Sequence, residues 1–90
     1  MAWLKIKEST YINLEHIDRI DYAVHEKEMI KLYFHRADII VASKQLEITE
    51  KQADDLIFFL TSCYDLKDVY DLDKLVENMK NHDKAKEAQK

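Results

Sequence analysis

Four histidines, one cysteine and a spaced run of aspartates are the side chains from which a metal site or an acid–base centre would have to be built. A transition-metal centre needs three or four ligands within about 2 Å of one ion. His25 and His35 fall at opposite ends of one expected hairpin, His16 in a turn and His82 near the carboxy terminus, so they are not expected to converge. Asp65, Asp68, Asp71 and Asp73 are spaced by threes and twos without the glycine that an EF-hand loop requires, and read as caps and solvated positions. Cys63 lies on the apolar face of an expected helix, a turn after Phe59, which suits an inert core thiol better than a nucleophile. His16 and Asp18 have the chemistry of a base and its orienter, but two common residues near each other are a weak signal. No catalytic set, metal site or cofactor is expected.

The chain has no glycine and no proline. Glycine is what lets backbone amides crowd around a phosphate or turn with positive φ. The phosphate loop, the dinucleotide fingerprint and the nucleophile elbow, all glycine-dependent, are therefore excluded by inspection. Hairpins must turn without Asn-Gly or Asp-Gly, which favours loops of three to five residues over two-residue primed turns.

Ninety residues fit one domain, expected over 1–79 with a polar tail at 80–90, and the 47% apolar and 36% charged content is that of a chain that folds. Net charge is −4: 7 basic against 8 acidic residues over 1–48, and 7 against 10 over 49–90. Bulk attraction to nucleic acid or anionic lipid is not expected. A lone cysteine, no signal-like apolar run and nothing near the roughly 20 apolar residues of a membrane span point to the reducing cytoplasm.

The elements follow from periodicity. Ile20, Tyr22 and Val24, then Ile30, Leu32 and Phe34, alternate at period 2, and a three-residue loop at 26–28 sets Val24 opposite Ile30 and Ile20 opposite Phe34. A four-residue loop at 35–38 would set Phe34 opposite Ile39 and Leu32 opposite Val41. A turn at 8–10 would set Ile6 opposite Ile12 and Leu4 opposite Leu14, with Ile17 plugging the edge of the core. The expected fold is α+β: an antiparallel meander of about five strands within 3–43, open or curled into a partial barrel, followed by helices at 50–64 and about 72–82.

The outer face of that meander would carry Trp3, Tyr11, Met29, Tyr33 and Ile40 among Lys5, Lys7, Arg19 and Lys31. A solvated sheet face is mostly polar, and a large apolar patch marks an interface. The leading expectation is thus a non-enzymatic interaction or regulatory module with a protein partner or a second copy, and no membrane role. The alternative is a single-stranded nucleic-acid binder that stacks bases on Trp3, Tyr11 and Tyr33 while Lys5, Lys7, Arg19 and Lys31 hold phosphates.

Thr49 and Gln52 fit a capping box that starts a helix at Glu50. At about 100° per residue, Ala53, Leu56, Ile57, Phe59, Leu60, Cys63 and Tyr64 share a face and Phe58 points away from it. A second stripe, Leu72, Leu75, Val76 and Met79, begins after a plausible cap at Asp71. The 66–79 segment is the expected cover for Phe58, with a partner subunit as the other choice. No motif identifies a family; a meander closed by a helix resembles the pleckstrin-homology architecture in outline over residues 11–64, which implies nothing about ligand.

Overall fold

The computed structural model describes residues 2–62 and 69–88. In chain order the elements are β1 (Trp3–Lys7), β2 (Thr10–Asn13), a 3-10 turn (Leu14–His16), β3 (Arg19–Glu26), β4 (Met29–Arg36), β5 (Ile39–Leu46), α1 (Glu50–Ser62), β6 (Val69–Asp71) and α2 (Leu72–Ala88). The fold is α+β, with antiparallel hairpins first and two helices after them. The five expected strands do not form one meander, however. With β6, which was not expected, they divide into two three-stranded sheets, β2-β1-β6 and β3-β4-β5, and neither closes into a barrel.

The division has a local cause. The Asn13 side chain accepts from the Glu15 amide at 3.0 Å and caps the 3-10 turn, while the Leu14 amide donates to Ala2 at 2.9 Å, so the chain leaves β2 before it reaches β3. On its free side β1 takes β6 as a parallel neighbour, Trp3 opposite Val69 and Lys5 opposite Asp71.

All three hairpins turn through two residues rather than three or four, and each has a bulge nearby. In β3–β4 the bulge preserves the expected register: Ile20 pairs with Phe34, Tyr22 with Leu32 and Val24 with Ile30. In β1–β2 it does not, because Lys7 pairs with Thr10 and Leu4 meets Ile12 instead of Leu14. In β4–β5, Ala37 and Asp38 both have positive φ, 50° and 68°, the sign pattern of a primed two-residue turn made without glycine. Arg36 then pairs with Ile39 and Phe34 with Ala42, so the core face of β5 is not the expected Ile39 and Val41. The Ala37 amide donates to Asp18 Oδ2 at 2.7 Å, which fastens this turn to the start of β3.

One core joins the pieces: Leu4 and Ile6 of β1, Ile30, Leu32 and Phe34 of β4, Leu46, Ile48, then Ala53, Leu56 and Leu60 of α1 and Leu72 and Val76 of α2. Ile17 packs against its margin, as expected. The helix starts are those the sequence implies. The Gln52 amide donates to Thr49 Oγ1 at 3.1 Å and the Thr49 amide to Gln52 Oε1 at 3.0 Å, while Asp71 Oδ1 accepts from the Asp73 and Lys74 amides. Between β3 and α1, the half-buried Tyr22 hydroxyl donates to Asp54. Burial first, then that hydrogen bond and the charges of Asp54 and Glu50, raise its pKa above the usual 10.0. This link is therefore intact through neutral pH and is lost only when strongly alkaline solution ionises the hydroxyl.

Candidate functional site

The expected interface residues are distributed over both sheets and α1. Trp3 and Tyr11 stand exposed on the sheet β2-β1-β6, Met29 and Tyr33 are half-buried on β4, Ile40 is exposed on β5, and Phe58 is exposed on α1. The basic residues are divided in the same way. Lys5 Nζ lies 4.0 Å from Asp71 Oδ2, Arg19 Nε lies 3.0 Å from Asp21 Oδ2, and Lys31 Nζ sits 5.6 Å from the Tyr33 ring centre. Lys7 is exposed and has no ion pair among the described residues.

Phe58 is 73% exposed, so the expected cover from the 66–79 segment is not found. The reason is which ring that segment meets. Tyr70 packs edge-on against Phe59, with centroids 5.6 Å apart, and α2 then runs against β1, β6 and α1 with Leu72 and Val76 inward. Cys63, Tyr64, Asp65, Leu66 and Asp68 lie outside the described residues. Thr61 and Ser62 both donate their hydroxyls to the Phe58 carbonyl, at 3.1 and 2.7 Å.

The most connected polar group is on the outer face of β3–β4. His35 is buried there; its Nδ1 lies 3.4 Å from Arg19 Nη2 and its Nε2 lies 3.1 Å from Asp21 Oδ2. A guanidinium can only donate, so Nδ1 must accept and the ring hydrogen sits on Nε2. Nε2 is sealed from solvent and out of line for a directed hydrogen bond, so its contact with Asp21 is electrostatic. The cluster joins Arg19 and Asp21 of β3 to His35 of β4. Nitrogen-15 NMR should find the neutral ring of His35 as the Nε2–H tautomer; an Nδ1–H ring would contradict the Arg19 contact.

The other histidines stay apart: His16 and His82 are exposed, and His25 lies in the bulge at the far end of the hairpin. Among the described residues no three His, Cys, Asp or Glu side chains gather where they could hold a metal. Asp18 accepts from the Ala37 amide, and no hydrogen bond or ion pair joins it to His16 among the described residues. Among the same residues no helix is long and apolar enough to cross a membrane.

Ile40 is exposed at the start of β5, and so are Ile39 and Val41, which were expected in the core. Ile39, Ile40 and Val41 are consecutive, β-branched and 66%, 54% and 46% exposed. Beside them, an open cleft of about 400 Å³ separates β5 from the β1–β2 hairpin, lined by Ile6, Lys7, Thr10 and residues Ile40 to Ser43. The signal that could have revealed this was Asp38, since Asp is one of the few residues that tolerate positive φ and so permit a two-residue turn. Compared with protein-family models, with curated proteins and with solved structures, the chain finds no match in any of the three.

Proposed function

We propose that this chain is a small non-enzymatic protein-interaction or regulatory module of the cytoplasm, self-associating or adaptor-like, whose docking surface is the start of β5. The observation that carries this reading is the run Ile39, Ile40, Val41, three exposed apolar residues in succession on a sheet edge. Long uncharged edge strands invite pairing with other chains, and contiguous apolar surface marks interaction sites. The lone cysteine supports a reducing compartment.

Nucleic-acid binding has less support. Trp3 and Tyr11 are on one sheet and Tyr33 on the other, and Lys5, Arg19 and Lys31 are engaged by Asp71, Asp21 and the Tyr33 ring. Sedimentation velocity from low to high micromolar concentration tests the self-associating form. A weight-average mass rising toward two chains is expected, and a strict monomer throughout would remove it.

A further inference from the structure

We infer that the partner at this surface is a second copy of the chain. The arrangement is two-fold: Ile39 and Ile40 of each subunit seat against the β1–β5 cleft of the other, and Asp38 of each meets Lys7 of the other. The inference rests on the interaction reading above and gives it an occupant.

The sheet edges differ in a way that selects this one. Exposed edges are ordinarily protected by shortness or by charge. β2 has four residues and β6 three, and β3 carries Arg19, Asp21 and Glu26. β5 has eight residues, and its first five, Ile39 to Ser43, have no charge. The two-residue turn that sets Ile39 opposite Arg36 holds Ala37 and Asp38 at positive φ, a conformation that Asp tolerates better than most residues with a Cβ.

A two-fold contact applies one patch to its own copy, so protrusion and groove must lie on the same surface and no charge at its centre can face itself. Both conditions are met. Ile40 and Val41 belong to the exposed run and also line the cleft, where Ile6 and Ala42 supply more apolar wall. Among the described residues the only charge lining the cleft is Lys7, and Asp38 immediately precedes Ile39 at the hairpin tip. Neither has an ion pair among the described residues. Docking tip to cleft forms two Lys7–Asp38 pairs by symmetry. Arg36, across the turn from Ile39, keeps each tip neutral overall. Two chains of net charge −4 repel at long range, so an apolar contact flanked by opposite charges suits a weak dimer.

The test is sedimentation equilibrium on the whole chain as wild type, Lys7→Asp, Asp38→Lys, and the double variant. Each single change places like charges together twice and should weaken dimerisation about tenfold, while the double variant should recover to within about threefold of wild type. Thermal melting of each variant checks that the subunit still folds, as exposed positions should allow. Ile40→Glu should give monomer. A double variant no tighter than the singles overturns the Lys7–Asp38 pairing. A dimer that survives Ile40→Glu but not Phe58→Glu overturns this docking and leaves the broader interaction reading standing. A strictly monomeric wild type overturns the second-copy inference and leaves the adaptor-like reading standing.

Discussion

Phe34→Ala is expected to lower the free energy of unfolding by about 3–5 kcal/mol, the range for truncating a buried phenylalanine, whereas Phe58→Ala should change it by less than about 0.5 kcal/mol, as exposed positions do. The two rings are chemically identical and differ in surroundings. Phe34 is fully buried at the centre of β4, between Ile20 of β3 and Ala42 of β5, with no route by which solvent could fill the space its ring would leave. Phe58 stands on the outer side of α1. Against a total stability of roughly 5–15 kcal/mol for a small domain, the first change should leave the protein marginally folded. Urea midpoints measured at low protein concentration decide the matter, because association would otherwise add to apparent stability. A large loss for Phe58→Ala would show that something covers that ring.

Leu72→Ala should cost about 2–5 kcal/mol. Leu72 is the first residue of α2, directly after β6, and its side chain is fully buried in the core shared with Leu4 and Leu60. It fastens the carboxy-terminal unit where β6 lies against β1. Leu75, half-buried one turn later, should cost distinctly less on the same substitution. Hydrogen exchange separates a docked helix from a loosely attached one: in Leu72→Ala the α2 amides should lose protection together with those of β1. If α2 alone loses protection while the midpoint stays in place, the helix does not belong to the common core.

These residues also mark what could be read in advance. The capping box at Thr49 and Gln52, the cap at Asp71, the stripe Leu72, Leu75, Val76 and Met79, and the outward position of Phe58 depend on spacings within one helix, where chain geometry leaves little freedom. The β3–β4 register was legible because three apolar residues on each strand had to share a face. Failures came where the deciding interaction was distant in sequence or left no pattern. β6 is three residues long and pairs with a strand more than sixty positions away, so it has no periodicity of its own. The β4–β5 register depends on a bulge and on the left-handed turn at Ala37 and Asp38, and a shift of one residue moves a side chain to the opposite face. The shorter turn moves Ile39 two positions along, opposite Arg36 and past the end of the core, and the bulge adds a third, so that Ala42 rather than Val41 faces Phe34. The candidate site was therefore legible only in part: Ile40 and Lys7 were singled out, while Ile39, Val41 and Asp38 were not.

The central claim is that the molecule meets its partner through the start of β5. A dilution series of amide NMR spectra from high to low micromolar concentration tests it residue by residue, without altering any side chain. Cross-peaks of Ile6, Lys7 and the stretch from Asp38 to Ser43 should shift together along one binding curve, while those flanking Phe58 on α1 and Trp3 on β1 stay still. Spectra independent of concentration, or shifts gathered around Phe58 or Trp3 with the β5 amides unmoved, would contradict it.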